Sequence, residues 1–273
     1  MPSLAAGYNL EISLLYRDGR DCKMGRQWIF AIKLICVLLS LTATSHAAQW
    51  SSLEPGINYR QVHIGRGDSE GRIHFFRLDH KRWQLRLIQA RQFDRETATI
   101  KFLAQEGHAR LAINGGFFGA DFKPLGLRIS AGKQLNPIKR ISWWGVFAIV
   151  LNKPQLFSFK DYAPAAKPEF AIQSGPRLVV AGSIPSTLKE GLDERAGIGA
   201  TADGDFIIAI TERAWITTTE FAQWMRSSEG GGCINALNLD GGHSAQLYYE
   251  GTKGQMSFEN SSMIVDAIGV YPK

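Results

Sequence analysis

The sequence predicts an α+β fold: a single strand-rich domain with a mixed, largely antiparallel sheet and a few short helices. Three observations lead there. Apolar and polar residues alternate with period two at 59–64, 73–78 and 83–90. Asp203-Gly204 lies between two apolar runs, a signal for a two-residue hairpin turn. Helical patterning is confined to two brief segments, 97–105 and 217–225.

The chain opens with a leader rather than with fold. Met24-Gly25-Arg26-Gln27 starts a positive region, and 28–41 is apolar apart from Lys33 and Ser40. Ser45-His46-Ala47 then offers small residues at the spacing a signal peptidase reads. Residues 24–47 therefore read as a secretory signal peptide, and the expected location is periplasmic or secreted. The apolar run falls short of the roughly 20 residues of a membrane span, so no stable anchor is expected after cleavage. Ile35, where a lipoprotein would carry a small residue before Cys36, argues against lipid attachment. Met24 reads as the natural initiator, which makes 1–23 a misassigned N-terminal extension; the alternative is an unusually long leader. Residues 48–273 form the folded domain.

Within it, the three alternating segments predict consecutive antiparallel strands with one buried face. A short helix is expected over 97–105. Arg110 to Ile113 reads as a buried strand that runs into Asn114-Gly115-Gly116-Phe117-Phe118. Further strands are expected at 127–129, 144–151, 156–159, 178–180, 197–202 and 205–210. The apolar 162–168 segment is a loop, too short for a flexible tether. Thr217-Thr218-Thr219-Glu220 is a capping box for the second helix, with Phe221, Trp224 and Met225 facing inward. The 263–270 segment closes the sheet.

Composition narrows the function. The chain is 45% hydrophobic and 21% charged, as globular domains are, and its net charge of +6 is spread without a basic block. No nucleic-acid partner is expected. Cys22 and Cys36 precede the cleavage point, which leaves Cys233 alone and no internal disulfide. That thiol reads as an apolar filler or, alternatively, a nucleophile. The histidines are scattered without ligand spacing, so no metal constellation and no cofactor are expected. A structural divalent cation stays open; Asp203-Gly204-Asp205 could hold Ca²⁺, although the hairpin explains that segment better.

Four loops share one character: an apolar strand followed by small residues and one or two polar ones. They are Asn114 to Phe118, Gln173-Ser174-Gly175-Pro176-Arg177, Arg195 to Gly199, and Asn238-Leu239-Asp240-Gly241-Gly242-His243-Ser244. Glycine pairs let the chain turn sharply and let a ligand approach the backbone. Placed at strand ends, these loops could converge on one pocket.

In this order and spacing the loops resemble the phosphodiester glycosidase family, over about residues 70–272. Asn114-Gly115-Gly116-Phe117-Phe118 and Asn238-Leu239-Asp240-Gly241-Gly242 carry most of the resemblance. Where many relatives have a third Gly and a second Ser, this chain has His243 and Ala245. The resemblance implies an exported hydrolase that cleaves the sugar C1–O–phosphate bond of an N-acetylglucosamine-1-phosphodiester-like substrate, with a phosphorylated glycan as partner. Asp240 would stabilise oxocarbenium-like charge, as nucleophile, base or electrostatic group. Arg195 would clamp the phosphate, with Arg128 and Arg177 as weaker candidates. Asn114 and Gln173 would bond sugar hydroxyls or the diester, and His243 would shuttle a proton. Gly115, Gly116, Gly241, Gly242 and Ser244 would line the substrate. Asp121, Asp193 and Glu194 are candidates for a second carboxylate. Two alternatives stand beside this reading: a phosphodiesterase attacking phosphorus, and a non-catalytic binder of phosphorylated glycans.

Overall fold

The computed structural model describes residues 49–66 and 69–273. The expected signal peptide and N-terminal extension lie outside the described residues. Strands dominate, numbered here in chain order, and they divide among three sheets. The first runs β1 (Ser51–Glu54), β2 (Ile57–Arg66), β3 (Ser69–Leu78), β13 (Phe206–Glu212), β12 (Ala196–Thr201), β14 (Cys233–Asn238), β11 (Arg177–Val179). The second runs β16 (Gly254–Phe258), β15 (Leu247–Gly251), β5 (Leu111–Asn114), β17 (Asp266–Pro272), β4 (Trp83–Gln89). The third runs β7 (Lys133–Asn136), β6 (Arg128–Ser130), β10 (Phe170–Ser174), β8 (Gly145–Val150), β9 (Lys153–Ser158). Their ladders are antiparallel, and the predicted strand-rich α+β class is what the structure shows.

One apolar cluster draws on all three sheets: Ile57 and Phe76 from the first, Leu85 and Leu111 from the second, Phe147 and Ile172 from the third. The outer faces of two sheets are then covered. Helix α1 (Ile100–Glu106) lays Ile100, Leu103 and Ala104 on Ala112, Tyr248 and Ala267. Helix α2 (Thr218–Arg226) lays Phe221, Ala222 and Met225 on Ile73, Phe75, Ile207 and Ala236. The capping box forms as read: Thr217 Oγ1 accepts from Glu220 N–H, and the Glu220 carboxylate accepts from Thr217 N–H.

Three sequence expectations change. β2 and β3 pair as a hairpin, but β4 joins β17 in another sheet. Period two reports which face is buried, not which strand lies alongside. β3 is buried on both faces, with Phe76 inward and Ile73 and Phe75 under α2, so the expected single buried face gives way to two. The Asp203-Gly204 turn closes between Thr201 and Asp205, with Thr201 N–H donating to Asp205 O at 3.0 Å and Gly204 at φ +90°. That is a three-residue loop with its glycine in the left-handed region, not a two-residue turn. Cys233 is buried beside Gly199, and burial pushes its thiol well above the usual range, so it is an inert filler.

Candidate active site

β5, β10 and β14 end near one another, and β12, antiparallel to β14, begins there. Backbone and side-chain bonds lock the loops that follow. Asp240 N–H donates to Gly115 O at 3.2 Å, and Asn114 Nδ2 donates to Asp240 O at 2.8 Å. Asn238 N–H donates to Pro176 O at 3.0 Å, and Asn238 Nδ2 to Gly175 O at 3.2 Å. Gly242 N–H donates to Glu194 O at 2.8 Å. All four sequence loops therefore meet.

They border a cavity of about 720 Å³ whose wall includes Asp240, Gly241, Asn238, Arg195, Arg177 and Asp193. That is the size of a small-ligand site. Asp240 Oδ1 accepts from Gly241 N–H at 3.1 Å, and the Ser244 hydroxyl also donates to this carboxylate. Burial, reinforced by the negative charge of Asp266, nonetheless raises the Asp240 carboxyl above its ordinary range. Arg195 is half-buried; its Nε donates to Ile216 O at 3.1 Å and its Nη2 to Gly191 O. Burial lowers its pKa, but a guanidinium stays charged.

Several predicted contacts lie elsewhere. Arg128 is fully buried: its Nε pairs with Asp266 Oδ2 at 2.8 Å, and Nη1 donates to Gln173 O at 2.9 Å. Gln173 is equally buried. Its Oε1 accepts from Leu127 and Lys139 N–H, and its Nε2 donates to Lys139 O. Asn114, also buried, spends Nδ2 on Gly115 and Asp240 carbonyls and Oδ1 on Gln246 N–H. These three hold the loops in place and do not reach into the cavity. Gly115 and Gly116 lie against Asp266 and Arg128: a Cβ on Gly115 would sit 1.8 Å from Asp266 Oδ1. His243 is exposed, pairs through Nδ1 with Ser261 Oγ at 2.9 Å, and stands off the cavity wall. Gly242, at φ +56°, sits in the left-handed region that disfavours a side chain, and a Cβ there would come within 2.9 Å of Asp193 Oδ1. Asp121 is exposed and paired with Lys123 at 3.2 Å. Glu194 accepts from Arg213 N–H and from Asn260, leaving Asp193 as the second carboxylate at the cavity.

Sequence reasoning assigned no role to three residues. Asn238 is buried and on the cavity wall, with Oδ1 lacking a partner. Its place two residues before Asp240 was the available signal. Trp143 forms part of the wall, and the Trp143-Trp144 pair was visible but not weighed. Asp266 carried no local signal, because its partner Arg128 is far away in sequence. As for metals, Asp79, His80 and Asp205 bring ligand atoms within 4.8 Å of one another among the described residues. Arg77 Nε already occupies Asp205 at 2.8 Å, and the group lies off the cavity wall.

The phosphodiester glycosidase family model matches residues 107–271, more than half of the chain. The chain belongs to the phosphodiester glycosidase family. The matched stretch holds all four loops. The chain is also 25% identical over 128 residues to the uncharacterized protein YigE of Escherichia coli strain K12, a match covering 43% of this chain and 50% of that protein. The chain thus spans about half the length of that curated relative. Among solved structures, the zebrafish N-acetylglucosamine-1-phosphodiester alpha-N-acetylglucosaminidase catalytic domain, auto-inhibited by its pro-peptide, superposes with TM-score 0.62 at 18% identity, covering 84% of this chain and 87% of that one. A hypothetical protein from Synechocystis gives TM-score 0.59 at 16% identity, covering 85% and 65%. At these identities the superpositions establish a shared fold. Among the described residues no helix is long and apolar enough to cross a membrane.

Proposed function

We propose that this phosphodiester glycosidase hydrolyses the bond between a sugar C1 and a phosphate oxygen, on an N-acetylglucosamine-1-phosphodiester-like substrate outside the cytoplasm. One observation carries the reading: Asp240 and Arg195 share the wall of a single cavity. A phosphate departs readily, so the enzyme has two tasks: to stabilise positive charge at C1 and to hold the leaving anion. Asp240 serves the first, its carboxylate steadied by Gly241 N–H and the Ser244 hydroxyl. Arg195 serves the second, placing a delocalised cation beside the phosphate. Asn238 Oδ1, buried without a partner, supplies an acceptor for a sugar hydroxyl or amide N–H. Water adds at C1, the C1–O bond breaks, and a phosphate monoester leaves.

The test incubates wild type and Asp240→Asn with sugar-1-phosphodiesters in ¹⁸O water and reads the products by mass spectrometry. Label is expected in the free sugar, with turnover in the variant lower by at least about 10²-fold. Label in phosphate would replace this reading with attack at phosphorus. Binding without turnover would make the protein a glycan-binding module.

A further inference from the structure

The cavity has an aromatic side that the proposed chemistry leaves unused. Phe117 follows the Gly115-Gly116 turn under Asp240 and packs on Trp144 at 5.2 Å between ring centroids; Trp144 meets Trp143 edge-on at 5.8 Å. Trp144 is buried, whereas Trp143 stands 49% exposed on the cavity wall. Leaving half an indole in water forgoes part of the stabilisation that burying it would bring. The loop carrying it is nevertheless fixed: Gln173 grips both backbone groups of Lys139, at 2.9 and 2.7 Å, and Trp144 N–H closes on Ile141 O. Gly175 is cut to fit both rings, since a Cβ there would lie 2.7 Å from Trp144 and 3.2 Å from Trp143. A rigid, half-open indole is a ready platform for the apolar face of a sugar ring.

Charge at this side exceeds what one phosphate needs. Lys189 Nζ sits over the Trp143 ring, 5.9 Å from its centroid, and Arg177 shares the wall. Among the described residues neither has a carboxylate partner. The exposed Lys139 and Arg140 lie on the Trp143 loop itself. Asp193 and Asp240 are the opposing charges on the wall.

We propose that Trp143 and Lys189 form a second subsite, holding the next sugar–phosphate unit of a polyanionic glycan. The substrate is then a chain of sugar phosphodiesters, with the scissile phosphate at Arg195, the following sugar on Trp143 and the following phosphate at Lys189. This rests on reading the cavity as a sugar-phosphodiester site.

The test is calorimetric titration of wild type, Trp143→Ala, Trp143→Phe and Lys189→Ala, each checked for folding by circular dichroism. The probes are the methyl diester of N-acetylglucosamine-1-phosphate and a synthetic tetramer of N-acetylglucosamine-1-phosphate repeats. Wild type is expected to bind the tetramer at least about tenfold more tightly than the monomer. Trp143→Ala and Lys189→Ala should each remove most of that gain and leave monomer affinity within about twofold, while Trp143→Phe keeps it. Added salt should shrink the gain, because its charged part is solvent-exposed. Equal affinity for the two probes, or variants that weaken both alike, overturns the proposal. Tight tetramer binding without hydrolysis of either probe upholds the subsite and sinks the catalytic reading. Hydrolysis of the monomer with no tetramer advantage does the reverse.

Discussion

At the scale of single residues, Asp266 and Arg128 show how far the site depends on groups that lie behind the cavity wall. Both are essentially fully buried and 2.8 Å apart, and Asp266 Oδ1 has no hydrogen-bond partner. Arg128→Met should destabilise the fold by about 3–5 kcal/mol, since it strands a carboxylate in an apolar setting. Arg128→Met combined with Asp266→Leu should recover much of that loss, as urea denaturation would show. Asp240 carries a second prediction. Its carboxyl titrates above its unfolded value, so its favourable contribution is complete below that value and is lost as pH rises through the folded one. At pH 7 the ionised carboxylate is thus held at a cost. Asp240→Asn should melt higher than wild type there, and the gap should narrow as the pH falls toward the ordinary carboxylate range. A lower melting temperature at pH 7 would contradict this. Asp240 was legible in the sequence because two glycines follow it. Asp266 was not, because a buried ion pair between distant residues leaves no local pattern. The sequence did not show that Asn114, Gln173 and Arg128 are engaged within the fold for a related reason: residue type shows what a side chain can bond to, not whether the fold has already used it.

At the scale of elements, the segment between β7 and β8 is the most informative. It has no regular structure of its own, and Gln173 on β10 stands in for a strand partner by pairing with Lys139 at both ends of its amide. Gln173→Leu removes those bonds and leaves two exposed basic residues, Lys139 and Arg140, on a loosened chain. Limited trypsin digestion should nick there at least about tenfold faster than in wild type, with fragments identified by mass. An unchanged rate would mean that the turn at Ile141–Trp144 is sufficient anchorage. The second helix was readable because a capping box is a local device that needs only four residues to act. The edge strands β1, β7 and β16 were not read: their residues are largely exposed, so burial imposes no clean alternation on them.

At the scale of the molecule, three sheets share one interior, and this fixes how the protein should come apart. Phe147 of β8 is fully buried among residues of all three. Phe147→Ala should cost about 3–5 kcal/mol. It should shift a single calorimetric transition without splitting it, because the largest apolar cluster joins all three sheets, even though the third sheet also buries a smaller cluster of its own. Two resolved transitions would indicate that the third sheet unfolds separately. The class of the fold was visible in residue periodicity, but its division into sheets was not. A strand's pattern records burial, whereas its neighbours are chosen by chain connections spanning up to the length of the domain, as when β4 meets β17.

The space beside Gly115 is already taken. Any side chain there would meet the Asp266 carboxylate, push it from Arg128 and unseat the turn beneath Asp240. The glycine is therefore required by volume before chemistry enters. Under the proposed function, a descendant that had exchanged Asp240 for a neutral residue and only held its glycan would keep its Gly-Gly pair unaltered. Among distant sequences, the Asn-Gly-Gly signature is accordingly a marker of scaffold ancestry, and, on the proposed function, the acidic residue near the cavity is the better indicator of activity.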